Sequence, residues 1–300
     1  MSYRLDLDEP VPDTLRDVAV ERLERAVRRL REDHGDDPVE AVHGARKDLK
    51  KTRALLRLAR PDMPPDVYRR ENRALRDIGR AMAGGRDADV MVETSDALAD
   101  RFAGSHPKRQ FDALHRRLAA HARGRQDSAD ADALADSLQD AADRAASWPL
   151  GDCDLATLQA GEKRTYRDGR RALAAVCEDP SAERLHEWRK RVKDLWYHHR
   201  LLQDAWRGPL KAHADECDRL GKLLGDDHDL ATLAATLTAA EGVDAPPSVD
   251  VGALTRLVER RREELQAEAL ALGERLYAEK PKAHARRIGA YLAAGAAVAW

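Results

Sequence analysis

Apolar residues recur at the spacing of an amphipathic α-helix along most of the chain. In the first such segment, from Asp13 to about residue 32, they fall three or four positions apart and therefore share one face. Glycine and proline residues interrupt the pattern and predict where helices end. In the first half the pattern predicts helices over about 13–32, 39–60, 66–83, 107–123 and 126–146, with a further helix that starts at Arg86.

The pattern continues through the second half, beyond a joint at 148–151. Helices are predicted over about 155–177 and 250–276, and Pro281 starts the last one. Pro180 is expected at the first position of another helix, because the N–H that proline lacks has no helical partner there. Alanine and leucine are common, whereas valine and isoleucine are sparse. The sequence therefore predicts an all-α fold.

Glycine positions predict several helix boundaries. The pair at 84–85 is expected to end the third helix, with Asp87 as a cap of the next. The Gly-Pro pair at 208–209 is expected to break the chain. Gly225 is expected to end a helix, so that Asp229 caps its successor.

The helix predicted over 39–60 has two different faces. Its core stripe consists of Val42, Ala45, Leu49, Thr52 and Leu56. The adjoining arc carries His43, Arg46, Lys47, Lys50, Arg53 and Arg57. A helix that is only solvated usually mixes charge signs, yet the segment 43–58 has a net charge of +5. The arc therefore predicts an anionic ligand, whereas Lys51, Arg60 and Arg70 are interpreted as solvated side chains.

The basic segment recurs 143 positions later in the chain. The corresponding residues are His186, Arg189, Lys190, Lys193 and Arg200. Trp196 replaces Arg53, and Trp188, Val192 and Leu195 form the core stripe. The spacing H-x-x-R-K-x-x-K, found twice at about half the chain length, indicates internal repeats over about 10–147 and 153–300. It predicts two similar helical bundles that face each other across a pseudo-twofold axis.

Charge is abundant but segregated. Charged residues make up 35% of the chain, yet the net charge is only −2. The segment 126–146 has a net charge of −5. A basic surface in such a chain is expected to bind its partner locally, because the field of the whole molecule is weak.

Neither a secretion signal nor a membrane span is predicted. The start lacks the apolar segment of a signal peptide. The apolar end at 288–300 is shorter than the roughly 18–20 residues that cross a bilayer, so it is expected to dock on the core. Cys153, Cys177 and Cys217 are interpreted as incidental thiols in a reducing compartment. A cytoplasmic protein without a cofactor or metal is expected.

The two basic segments, together with the glycine-containing elements at 84–90 and 224–230, resemble the CHAD family, the conserved histidine α-helical domain. The resemblance covers nearly the whole chain. It implies a single domain over 1–300, with two four-helix repeats around a central basic groove or pore. It also implies non-catalytic binding of inorganic polyphosphate and association with polyphosphate granules. A stand-alone member is expected, without the fused triphosphate-tunnel domain of some relatives.

The resemblance also implies which residues contact phosphate. From the two basic helices they are His43, Arg46, Lys47, Lys50, Arg53, Arg57, His186, Arg189, Lys190, Lys193 and Arg200. From neighbouring helices they are Arg73, Arg76, Arg80, Arg219 and Lys222. Polyphosphate has many charges and no bases, so arginine forks and lysine point charges suit it better than aromatic platforms. Trp196, Asp215 and Asp218 predict a less basic second half.

Other functions could use some of the same residues. Binding of nucleic acid or of other phosphate-rich anions would use the same cations, although aromatic residues are sparse and no nucleic-acid recognition motif is present. A metal-dependent phosphohydrolase would use the dipeptide His228-Asp229 together with His186. Arg86 stands at the position equivalent to His228 and cannot ligate a metal. Phosphate binding without catalysis is therefore the favoured hypothesis.

Overall fold

The computed structural model describes residues 3–33, 35, 37–82, 86–104, 106–124, 130–240 and 250–298. This part of the chain is all-helical and has no β-strand, as the composition predicts. The helices are α1 (Val11–Arg28), α2 (Pro38–Ala59), α3 (Pro65–Ala81), α4 (Arg86–Arg101), α5 (Lys108–Gly124), α6 (Ala131–Ala146), α7 (Leu155–Glu178), α8 (Ala182–Leu201), α9 (Arg207–Ala240), α10 (Val251–Leu276) and α11 (Pro281–Val298). The expected boundary at 84–85 and the start of the acidic segment at 126–129 lie outside the described residues.

Side-chain caps explain where several helices begin. α2 begins at Pro38, and the carboxylate of Asp37 accepts a hydrogen bond from the backbone N–H of Glu40 at 3.0 Å. α7 begins after a capping box in which Asp154 and Thr157 bond reciprocally. The sequence pattern places both helices correctly to within about two residues.

The predicted start of α8 at Pro180 is wrong. α8 begins at Ala182, because Ser181 is its cap and accepts a hydrogen bond from the backbone N–H of Arg184 at 3.3 Å. A serine hydroxyl satisfies a free N–H of the first turn, which proline cannot do. Pro180 therefore precedes the cap.

The predicted helix boundary at Gly225 is also wrong, because α9 continues from Arg207 to Ala240. One glycine costs a helix interior only about 1 kcal/mol, and α9 packs against α8 and α10. The Gly-Pro pair at 208–209 lies in the first turn of α9, where proline removes no helical hydrogen bond. Asp229 is consequently inside a helix and is not a cap, whereas the side chain of Asp87 lies outside the described part.

The apolar core consists of three clusters. The first cluster draws mainly on α1, α2, α3 and α6. The second draws on α7 to α10, and the third on α4, α5, α9 and α10. The predicted core stripes are confirmed, because Ala45, Leu49, Thr52, Leu56, Trp188, Val192 and Leu195 are buried and Val42 is partly buried. The helix α9 belongs to two clusters at once.

The last helix docks on the body of the protein, as predicted. α11 packs against α7, and Ile288 and Leu292 are completely buried in the first cluster. Trp300 lies outside the described residues. None of the helices, as far as they are described, combines the length and the apolar character that a membrane crossing requires.

The helices α2 and α7 touch through their backbones at Gly161. A β-carbon at this position would overlap the main-chain carbonyl of Leu58. Gly161→Ala is therefore expected to lower the free energy of unfolding by about 2 kcal/mol, because the packed helices must separate to admit a methyl group. Urea unfolding followed by circular dichroism measures this loss. Gly151→Ala is the matched control, since no atom lies within 4 Å of its β-carbon position, and an equal loss there would contradict the close crossing.

Candidate anion-binding site

The first group of predicted site residues lies on the solvent side of α2. Lys47 and Lys50 are exposed, and His43 and Arg46 are partly exposed. Lys47 lies 3.9 Å from Glu40, and both side chains are more than half exposed, so the pair contributes little. Arg46 has no carboxylate within salt-bridge distance among the described residues. Arg46 therefore presents a positive charge that no described carboxylate neutralises.

Further along α2, Arg53 and Arg57 are partly buried and differ in their hydrogen bonding. Arg57 donates a hydrogen bond to Asp194 of α8 at 3.0 Å. Arg53 is partly buried, and its Nε has no hydrogen-bond partner. Burial and the charge of Arg57 lower the pKa of Arg53 to about 10. Arg53 is therefore still a cation at neutral pH, although burial and the charge of Arg57 both disfavour its charged form.

Two cations of α8, Lys193 and Arg189, lie against glycine residues of α9. A β-carbon at Gly221 would lie 3.0 Å from Cε of Lys193, and one at Gly225 would lie 3.2 Å from Nε of Arg189. The two glycines stand one turn apart, so they make room for the two side chains. The buried Nε of Arg189 has no hydrogen-bond partner. Gly225 was expected to end a helix, but its missing side chain instead leaves space for the side chain of Arg189.

Trp196, which replaces an arginine of the first repeat, holds two of the predicted cations. Its ring lies 4.1 Å from Nζ of Lys193 and 5.0 Å from the guanidinium carbon of Arg200. Such cation–π contacts are favourable by about 0.5–1 kcal/mol at partly exposed sites. The second repeat therefore has one cation fewer at this position, but the tryptophan ring orients Lys193 and Arg200.

The supporting cations on α3 and α9 are partly neutralised. Asp218 lies 3.2 Å from Nζ of Lys193 and 2.9 Å from Nζ of Lys222. On α3, Asp77 lies close to Arg76 and Arg80, at 3.0 and 3.8 Å. The sequence predicted that Asp218 would reduce the positive charge of the second half. It did not predict the same effect for Asp77, although Asp77 is close in sequence to the two arginines that it pairs with. The exposed residues Arg73 and Arg219 have no carboxylate partner among the described residues, and Lys190 pairs with Glu187 at 3.2 Å.

Two histidine rings, one from α8 and one from α9, lie close together beside these cations. The rings of His186 and His228 are 4.3 Å apart between centroids. Burial, the charge of His228 and the charges of Lys190 and Arg189 lower the pKa of His186 to about 4. Its Nδ1 is buried without a hydrogen-bond partner. His186 is therefore neutral at pH 7 and can take up a proton when an anion arrives.

The interpretation of Lys51 as a solvated side chain is wrong. Its Nζ lies 2.9 Å from Asp48 and 5.8 Å from the ring centre of Tyr3, and burial lowers its pKa. Asp48 is only 2% exposed, and its carboxylate also lies 3.5–3.7 Å from Arg22, Arg25 and Arg29. The single acidic residue of the basic segment therefore joins α1 to α2, away from the exposed arc.

A buried polar cluster, which the sequence interpretation missed, surrounds Glu162 of α7. Its carboxylate lies 2.9 Å from Nδ1 of His198, 2.6 Å from Nε2 of His199 and 3.2 Å from Nε2 of His284. All four residues have no exposed surface. Burial alone would raise the pKa of Glu162, but the charge of His199 and the hydrogen bonds from the three rings hold it well below its usual range.

Comparison with known proteins assigns the fold and the family. Residues 17–238 match the family model of the CHAD domain. The structure of PptA from Streptomyces chartreusis superposes with a TM-score of 0.61, over 90% of this chain and 100% of that one, at 20% sequence identity. No curated protein matches the sequence. Because the family model covers well over half of the chain, the protein belongs to the CHAD domain family.

Proposed function

We propose that this protein binds inorganic polyphosphate, without catalysis, along a basic surface formed by α2, α3, α8 and α9. The family to which it belongs is associated with polyphosphate. The basic surface is defined by the sixteen residues assigned above to phosphate contact. The proposal extends to a location in the cytoplasm, in association with polyphosphate granules.

Unsatisfied nitrogen atoms at the basic surface carry the proposal. The buried Nε of Arg53, the buried Nε of Arg189 and Nδ1 of His186 have no hydrogen-bond partner. Buried polar groups usually have partners, and three of the buried nitrogens without one among the described residues lie at this surface. Phosphate oxygens would accept hydrogen bonds from all three groups and would relieve the repulsion between the cations.

The helix pairings support two similar repeats. In the first half α1 packs against α2 and α6, α2 against α3, and α4 against α5. In the second half α7 packs against α8 and α11, α8 against α9, and α9 against α10. The order is the same if α9 corresponds to α3 and α4 together. We propose that the groove lies where the two repeats meet, beside α2 and α8, which contact each other.

The phosphohydrolase alternative is less well supported. His186 and His228 are near neighbours, but Arg189 and Lys190 contribute to the low pKa of His186. The same cations would repel a divalent metal ion at this place. The described residues that have metal-ligand spacing belong to two other groups of side chains.

The test is a titration of the full chain with long-chain polyphosphate at near-physiological salt, with duplex DNA and pyrophosphate as competitors. We expect tight binding that neither competitor displaces at equal phosphate concentration, because only a long flexible polyanion reaches the cations of both basic helices. Equal competition by DNA would support the nucleic-acid alternative instead. Absence of binding would contradict the proposal, and metal-dependent shortening of the polyphosphate would contradict its non-catalytic part.

The low pKa of His186 predicts how the affinity depends on pH. The free protein has His186 neutral above about pH 4, whereas a nearby phosphate would raise that pKa. Protonation therefore accompanies binding, and affinity is expected to rise as the pH falls from 7.5 to 5.5, by at most about tenfold per pH unit for each proton taken up. Lys190, Arg189, His228 and Glu187 act on His186 in both states and set the size of the rise.

Binding constants measured across this pH range, with circular dichroism to verify folding, give the slope. His186→Gln should flatten the dependence and retain most of the affinity at pH 7.5, because glutamine still donates a hydrogen bond. An unchanged slope in this variant would show that another group takes up the proton.

A further inference from the structure

Three side chains with metal-binding atoms meet between α8 and α9. His213 and Cys217 are one turn apart on α9, and His199 faces them from α8. One ligand atom from each of the three lies within 4.8 Å of the others. Nδ1 of His213 lies 3.7 Å from Sγ of Cys217. A tetrahedral zinc ion with its usual bond lengths separates a nitrogen and a sulfur ligand by about 3.6 Å, so this edge already has the required length.

The histidine on α8 has one nitrogen engaged and one unengaged. Nε2 of His199 lies 2.6 Å from Oε1 of Glu162, whereas its buried Nδ1 has no hydrogen-bond partner. In zinc proteins a ligating histidine typically donates its second N–H to a carboxylate, which fixes the ring and strengthens the bond to the metal. Glu162 occupies that supporting position, and His198 and His284 hold its carboxylate in turn.

From this arrangement we propose that His199, His213 and Cys217 bind a zinc ion, with water at the fourth position. Two imidazoles and a thiolate are ligands that favour Zn²⁺ over Mg²⁺ or Ca²⁺, which prefer oxygen. His213 is partly exposed, which gives the ion a path from solvent.

Burial shifts the pKa values of all three side chains. It lowers the pKa of His213 to about 2, and it lowers the pKa of His199 against the opposing effect of Glu162. Burial raises the pKa of Cys217, so the thiol is protonated without a metal. Binding of Zn²⁺ would therefore form one zinc–sulfur bond and release one proton from Cys217 to solvent.

A second group with metal-ligand spacing shares His199 but fits less well. Glu162, His199 and His284 also have ligand atoms within 4.8 Å of one another. Those atoms already form hydrogen bonds to each other, at 2.6 and 3.2 Å from Oε1 of Glu162. A metal there would have to break these bonds, whereas a metal bound to Nδ1 of His199 would leave the contact between Nε2 of His199 and Glu162 in place.

None of the three ligands belongs to the sixteen residues of the basic surface, so the zinc titration does not require polyphosphate binding. The full, untagged chain is freed of metal with a chelator and titrated with Zn²⁺ against a chromophoric chelator. Co²⁺ is then substituted, because a cobalt–thiolate bond produces a strong near-ultraviolet absorption band. We expect one zinc per chain and a thiolate band, and a loss of at least about 100-fold in zinc affinity in Cys217→Ser together with loss of the band.

His213→Gln provides a second variant if Cys217→Ser does not fold, since His213 is partly exposed. The matched controls are Cys153→Ser, which alters another buried thiol, and Cys177→Ser, which alters the exposed one. Both should bind zinc as the wild type does. Failure of the wild type to bind zinc, or zinc binding that survives both site variants without a thiolate band, would overturn the proposal.

Discussion

Reversing the charge of Arg46 and Lys50 together, by substitution with glutamate, is expected to weaken binding of long-chain polyphosphate by about 100-fold or more. Each charged hydrogen bond to phosphate is worth about 1.5–3 kcal/mol, and the two new carboxylates also repel the ligand. Both side chains stand on the arc away from the buried residues Leu49 and Leu56, so the helical fold should persist. Binding titration and circular dichroism on the same preparation measure the two effects.

The matched control reverses Lys282 and Arg286 of α11. These residues are exposed and have the same spacing of four positions, but they lie outside the basic surface. The control changes the net charge of the protein equally, so it separates local contact from the general field. Equal loss of affinity in both double variants would contradict the assigned surface. Unfolding of Arg46→Glu/Lys50→Glu would show that the arc is part of the packing.

Removal of the carboxylate in Glu162→Ala is expected to lower the free energy of unfolding by about 3–5 kcal/mol. Three histidine rings would lose their buried acceptor, and breaking a buried charged pair from one side costs this much. Urea unfolding at pH 7.5 with a chelator present measures the loss without any contribution from metal. Glu178→Ala on the exposed end of the same helix should change stability by less than about 0.5 kcal/mol.

Lowering the pH should have a related effect, and its sign follows from the pKa shifts. The pKa values of His199 and His213 are lowered in the folded protein, so the unfolded chain binds more protons below about pH 6.5. Stability is therefore full above that pH and is lost as the pH falls below it. An increase in stability between pH 7 and pH 5 would contradict the lowered pKa values of these two rings.

The sequence predicts those features that depend on local periodicity. The core stripe and the basic arc of α2 follow from a spacing of three and four residues, and the structure separates them as expected. The recurrence at α8 follows from the same spacing. The family could likewise be identified from short motifs, because four of them occur in order along the chain.

Features that depend on tertiary packing could not be predicted. Gly225 is a helix breaker by local preference, but contacts of α9 with two neighbouring helices outweigh that preference. The cluster around Glu162 joins residues up to 122 positions apart on three helices. For the neighbouring group of His199, His213 and Cys217, the sequence gives one local signal. His213 and Cys217 are four positions apart, which places them on one face of a helix.

The continuity of α9 also governs how the protein opens. Its 34 residues make a helix about 50 Å long. Leu220 and Leu224 belong to the second core cluster, and Leu230 and Leu233 to the third. Neither cluster can lose its packing without unravelling a helix that the other requires, so local unfolding of α4 and α5 is energetically linked to that of α7 and α8. Backbone amides of both regions should therefore exchange with solvent hydrogen as one cooperative unit.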